Sequence, residues 1–179
     1  MTDTDPILIR DAAEPDIPAI REIYAHHVRT GGGSFEYDPP DIEEMARRHA
    51  AITDGGYPYI VAEQAGAILG YAYAGPYRPR RAYRYTVENS VYVAEAAHRR
   101  GLGRKLLAEL IRRCTEAGFR QMIAVIGDSA NAGSISLHRN MGFREVGTVK
   151  SVGFKFGRWL DSVTMQLSLG DGAETLPKD

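Results

Sequence analysis

The chain reads as one α/β (α+β) domain, and three observations lead there. Apolar residues recur with helical and strand periods in the order strand, two helices, three strands, helix, strand, helix, two strands. Between Val91 and Leu107 a β-branched run passes through a glycine turn straight into a helix, as strand-to-helix units do. The length of 179 residues is enough to bury a full core and leaves no room for a second domain. The domain is expected over residues 1–169, with residues 170–179 as a disordered tail.

Residues 7–10 form a short first strand. After Pro15 a helix is predicted, because Ile17, Ile20, Ile23, Tyr24 and Val28 fall on one apolar stripe. Thr30-Gly31-Gly32-Gly33-Ser34 breaks it and opens a flexible, aromatic loop. Pro39-Pro40-Asp41 starts a second helix, in which Asp41 and Glu44 have the spacing of a capping box. Residues 59–63 and 68–74 flank Gln64-Ala65-Gly66 as a β-hairpin, and residues 86–94 make the next strand. Leu106, Leu107, Leu110, Ile111 and Cys114 then repeat at helical spacing up to a stop at Gly118, which makes Cys114 a core residue. A strand over 122–126, a short helix over 134–141 ending at Gly142, and strands over 143–149 and 162–169 complete the order.

The formal net charge of −1 gives no overall pull toward nucleic acid or membrane, so the arginines at 78 to 84 and 99 to 104 are local features suited to a small anion. A single cysteine forms no internal disulfide, the acidic N-terminus lacks a signal-peptide pattern, and no apolar run approaches a membrane span; a cytoplasmic location is expected. The histidines at 26, 27, 49, 98 and 138 match no zinc-ligand spacing, so no metal is expected. Cys114 sits on an apolar stripe without a nearby base in sequence, which argues against an acyl-carrying nucleophile.

Two common phosphate motifs fail at the glycine turn. Leu106 stands where a dinucleotide fingerprint needs its third glycine, and the Gly-Lys-Ser/Thr of a P-loop is absent. What remains is either an ordinary tight turn or an anion cradle, in which glycines admit a ligand close to the backbone and the following helix offers unpaired amides and its positive end.

Arg99-Arg100-Gly101-Leu102-Gly103 resembles the pyrophosphate-binding motif of the GCN5-related N-acetyltransferases (GNAT). Asn131-Ala132-Gly133-Ser134 with Leu137-His138-Arg139-Asn140-Met141-Gly142-Phe143 resembles the family's coenzyme-A-side helix. The segments 84–93 and 155–161 are similar to the phosphinothricin and methionine-sulfoximine N-acetyltransferase branch, so the resemblance spans the chain up to Leu169. It implies the GNAT fold: a mixed, mostly antiparallel sheet of about six to seven strands, splayed at the cofactor site and flanked by about four helices.

The resemblance further implies acetyl-CoA as co-substrate, held by Arg99, Arg100, Gly101, Leu102, Gly103, Arg104 and Asn131, with its pantetheine arm paired to the backbone of Val91 and Val93. A backbone N–H near Val93 would face the thioester oxygen. Amide formation needs a neutral amine, and Glu88 is the candidate base; its alternative is a solvent-facing strand glutamate. His138 occupies the place of the family's acidic tyrosine, four residues before the closing glycine, and either protonates the leaving thiolate or only bonds and packs. His98 likewise replaces the family's Gln or Arg three residues before Gly101, a departure that backbone binding tolerates. Arg78 is suited to grip a carboxylate, or is a solvated loop arginine; Phe35, Tyr83, Lys155 and Phe156 are expected around the acceptor.

The implied activity is N-acetylation of the α-amino group of a small amino acid or its phosphinothricin, methionine sulfoximine or methionine sulfone analogue. The alternatives are a protein or peptide N-acetyltransferase, which requires an open groove, and a coenzyme-A-binding regulatory module without turnover. A homodimer is implied, with the segment from Lys155 to Trp159 reaching a neighbouring subunit's site.

Overall fold

The computed structural model describes residues 5–177. Strand β1 is Leu8–Asp11, helices α1 and α2 are Ile17–Thr30 and Ile42–Asp54, and strands β2, β3 and β4 are Tyr59–Gln64, Ala67–Pro76 and Thr86–Val93. Helix α3 (Leu102–Glu116), β5 (Gln121–Gly127), α4 (Ala132–Asn140), β6 (Arg144–Lys155) and β7 (Arg158–Ser168) follow. The seven strands form one sheet in the order β1-β2-β3-β4-β5-β7-β6, antiparallel except where β4 runs parallel to β5.

The apolar stripe of α1 explains one face of this sheet. Ile17, Ile20 and Val28 are fully buried with Met45 of α2 against Tyr59, Val61 and Tyr71 of β2 and β3. On the opposite face Leu106, Leu107, Leu110 and Cys114 of α3 pack on Ile60, Ala72, Val87, Met122 and Ala124, and Leu137 of α4 joins them. Each such leucine contributes about 1.5–3 kcal/mol through burial. Burial also pushes the Cys114 thiol up to about 12, which makes it an inert core residue.

Local signals behave as their chemistry dictates, with two exceptions. Asp41 caps α2 by accepting from the Glu44 amide at 2.8 Å, but the Glu44 carboxylate turns outward to Arg47 and Arg48, so only half of the expected box forms. Beyond β7 the segment expected to be disordered closes turns: the Gly172 amide donates to the Leu169 carbonyl and the Glu174 amide to that of Asp171, both at 2.9 Å, up to Pro177. Lys178 and Asp179 lie outside the described residues.

The largest difference lies at β6 and β7, which run as a hairpin well past the expected ends. Gly153, Phe154 and Lys155 pair with Leu160, Trp159 and Arg158, and Phe156 and Gly157 turn the chain with φ of 54° and 71°. Two successive positive φ values are what a tight two-residue hairpin turn needs to match strand twist.

Candidate active site

The splay between β4 and β5 creates the site. Their parallel pairing runs from Thr86 with Gln121 to Asn89 with Ala124 and stops there, although β4 continues to Val93. The β4 backbone alternates in direction: Tyr85 O accepts from Arg120 N, Thr86 O from Tyr77 N, and Ala94 N donates to Leu69 O. Val91 and Val93 therefore turn their N–H and C=O groups away from β3 and into the gap. The Val93 carbonyl confirms that direction by accepting from His27 Nε2 at 2.9 Å and His98 Nε2 at 3.1 Å. His98 thus ties the turn before α3 to the strand end.

The gap opens into a cleft of about 870 Å³, within the size range of ligand sites. One wall is the start of α3. Gly101 adopts φ of 71° at its N-cap and makes no side-chain cap, so among the described residues no N-cap side chain takes up the first amides of the helix. A Cβ on Gly103 would press on Leu137 at 3.3 Å, so this glycine lets α4 come close. Arg99, Leu102 and Arg104 line the cleft with these glycines, whereas Arg100 turns aside and donates to Gln64 at 2.9 Å. An uncapped helix start beside an unpaired strand edge fits a long ligand that carries a pyrophosphate at one end and amides along its length.

The opposite wall is α4. Asn131 caps it by accepting from the Ser134 amide at 3.2 Å and borders the cleft. His138, 4% exposed, places Nε2 at 3.0 Å from Asn89 Oδ1 and Nδ1 at 2.8 Å from the Ser134 carbonyl. Burial lowers its pKa, and the Ser134 carbonyl opposes that shift. Glu88 points to the other face of the sheet from Asn89. It is half-buried, bonded to nothing among the described residues, and desolvation raises its pKa.

The Gly31–Ser34 loop forms the cleft floor. Lys155, expected at the acceptor, is 2% exposed and points inward instead. Its ammonium donates to the carbonyls of Val28 (2.6 Å), Ser34 (2.9 Å) and Gly31 (3.3 Å), binding the α1 end to the β6–β7 hairpin. A buried ammonium has to spend its hydrogens on acceptors, and the last turn of α1 with the loop after it offers the carbonyls of Val28, Gly31 and Ser34. Phe35 lies over Gly127 and Gly153, where a Cβ on either would overlap its ring. Phe156 is exposed at the hairpin turn. Arg78 stands outside the cleft walls, its guanidinium 5.0 Å from the Tyr77 ring and 5.6 Å from the Tyr83 ring.

Asn89, Ser134 and Arg158 fall within the motifs quoted from the sequence but were given no role of their own there, and Asp128 was not singled out; all four line the cleft. Asp128 carries φ of 67°, accepts from the Ala130 amide at 3.0 Å and pairs with Arg158 across the cleft rim. The Asp128-Ser129 turn before Asn131 was the available signal, since aspartate tolerates that backbone region. No cluster of metal ligands occurs among the described residues, and no helix there is long and apolar enough to cross a membrane.

Comparison with known proteins agrees with this geometry. Residues 9–164 match the family model described as an acetyltransferase (GNAT) domain. The chain belongs to the GNAT acetyltransferase family. It is 55% identical over 170 residues to a phosphinothricin N-acetyltransferase of Alcaligenes faecalis, covering 95% of this chain and 86% of that protein. It is 44% identical over 162 residues to an L-methionine sulfoximine/L-methionine sulfone acetyltransferase of Pseudomonas paraeruginosa, covering 90% and 94%. A crystal structure of a GNAT superfamily phosphinothricin acetyltransferase from Sinorhizobium meliloti with AcCoA superposes with a TM-score of 0.94 at 49% identity, covering 97% of this chain and 94% of that one. The GNAT chain is thus an acetyl-CoA-dependent N-acetyltransferase, and its mostly antiparallel splayed sheet is the one the motifs implied.

Proposed function

We propose that this GNAT enzyme acetylates the amino group of a small free amino acid of the phosphinothricin or methionine sulfoximine type. The observation that carries this reading is Glu88, an unpartnered half-buried carboxylate on the strand whose other end opens into the cleft. Such a group is poised to take a proton from an ammonium acceptor, directly or through water. The α3 amides with Arg99 and Arg104 hold the pyrophosphate, and the turned-out backbone of Val91 and Val93 aligns the pantetheine arm. When bound, acetyl-CoA supplies the thioester that the amine attacks. The Val93 N–H faces the carbonyl oxygen, where one well-placed donor is worth about 3 kcal/mol. His138 holds the proton destined for the sulfur. Arg78, its guanidinium set between two tyrosine rings, is assigned to the acceptor carboxylate.

The functional unit is a homodimer in this reading. Val149, Val152, Phe154, Phe156 and Trp159 are exposed together on the β6–β7 hairpin, with Trp159 at 64%. An apolar arm of this kind is what an interface core requires. In the same reading the protein acts in the cytoplasm.

The test mixes the protein with acetyl-CoA and a panel of free amino acids, phosphinothricin, methionine sulfoximine and sulfone, their carboxamides and a short peptide, following thiol release. Free amino acids are expected to exceed their carboxamides in kcat/KM by more than about tenfold, a loss of paired contacts to one carboxylate. Equal use of carboxamides overturns carboxylate recognition, and preference for the peptide overturns the small-molecule reading. Absence of thiol release with every acceptor favours the regulatory module.

A further inference from the structure

Asn89 Nδ2 donates to the Ile123 carbonyl at 3.1 Å, which leaves Oδ1 as the atom facing His138 Nε2. An amide oxygen only accepts, so Nε2 carries a hydrogen. The other ring nitrogen then has two partners on one residue. Nδ1 lies 2.8 Å from the Ser134 carbonyl, which only accepts, and 3.4 Å from Ser134 Oγ, which accepts or donates. With a hydrogen on Nδ1 the ring is an imidazolium and bonds to the carbonyl. Without it the ring is neutral and takes the hydrogen of Oγ. The imidazolium is therefore satisfied where the ring stands, whereas the neutral ring shifts its Nδ1 from the carbonyl, an acceptor 2.8 Å away, toward Oγ at 3.4 Å; Phe143 flanks the ring edge-on at 5.0 Å. The elements packed on it present Asn89 from β4, Phe143 after α4 and Ser134 from its own helix, and no charged side chain among the described residues pairs with it.

Asn89 and His138 are almost fully buried, whereas Ser134 is half-buried on the cleft wall, one helical turn nearer the Asn131 cap. We propose that Ser134 is a proton-relay residue, passing a proton from His138 to the sulfur that leaves the acetyl group, while Asn89 fixes the ring so that Nδ1 alone exchanges it. This rests on the acetyl-transfer reading above. As the carbon–sulfur bond breaks, its electron pair stays on sulfur. Ser134 Oγ gives its hydrogen to that sulfur and takes the Nδ1 hydrogen of the imidazolium. The serine hydroxyl is restored, a thiol is released, and the neutral ring again accepts from Oγ until solvent protonates it.

The test compares wild type with Ser134→Ala and Ser134→Thr. Nitrogen-15 resonances of the His138 ring are followed against pH in the protein without ligand, and kcat and KM for acetyl-CoA are measured across the same range. The wild-type neutral ring is expected as the Nε2–H tautomer. Ser134→Ala removes the donor that the neutral form uses, so His138 should titrate at higher pH, and kcat should fall by about tenfold or more with KM for acetyl-CoA within about twofold. Ser134→Thr keeps a hydroxyl and should restore both. An unchanged His138 titration in Ser134→Ala overturns the link between the two residues, and a shifted titration with wild-type kcat overturns the relay. Failure of the wild type to transfer acetyl to any amine overturns the relay together with the function it serves, and an intact ring titration would tell that failure from the first.

Discussion

At the scale of single residues, the Glu88 carboxylate is a cost to the fold. A carboxylate half-buried without a partner destabilises the native state whenever it is charged. Its folded pKa lies above the ordinary 4.5, so the stability it contributes is full below about pH 4.5 and is lost as pH rises through the elevated value. Glu88→Gln should therefore raise the melting temperature at pH 7 to 8, an advantage that disappears below about pH 4.5. The same change should lower turnover by about a hundredfold while leaving acetyl-CoA affinity intact. Melting curves at both pH values with steady-state kinetics check it, and wild-type turnover in the variant would remove Glu88 from the mechanism. Wild-type activity should climb with pH through the raised carboxyl pKa, because the base form is the deprotonated one. The position of Glu88 on a strand was legible in the sequence because the β-branched and aromatic run around it has strand character. Asn89 was not, since an asparagine in a strand gives no hint of what its amide meets on a helix 49 positions away.

At the scale of elements, the β6–β7 hairpin and the loop after α1 depend on each other. Replacing Lys155 with methionine keeps the stem but strands buried carbonyls of Val28, Gly31 and Ser34, which should cost about 1–3 kcal/mol. Because that loop forms the cleft floor and not the phosphate wall, KM for the acceptor should rise more than KM for acetyl-CoA. Denaturation with denaturant and two-substrate kinetics measure both effects, and unchanged stability would refute the clamp. The helices of this molecule were readable because burial on one face imposes a 3.6-residue period, as in α1 and α3. The hairpin beyond Val149 was not, because its large apolar residues Val152, Phe154, Phe156 and Trp159 are exposed while its inward positions include a lysine and a glycine, so the apolar pattern runs opposite to burial. The inward turn of Lys155 was hidden for a related reason: a lysine next to an exposed phenylalanine reads as surface, and its carbonyl partners lie more than 120 positions away. The glycine turn was readable to the residue, yet which of its arginines face the cleft depends on Gln64, a contact no local pattern contains.

At the scale of the whole molecule, the apolar arm predicts an assembly. Trp159→Asp combined with Phe154→Asp places charges in the centre of the exposed patch and should turn a dimer into a monomer. Sedimentation of the wild type and the double variant checks this, and a wild type that sediments as a fully active monomer would exclude a dimeric functional unit. The strand order carries a different consequence, one of timing. β7 lies between β5 and β6, so β5 has no neighbour on that side, and β6 no neighbour at all, until residues 158–168 have been synthesised. During translation the nascent sheet therefore waits with an open edge on the very strand that borders the splay. That interval is when the chain is most exposed to pairing with another copy of itself, and slowing elongation near the codons of β7 should lower the soluble yield without altering the finished enzyme.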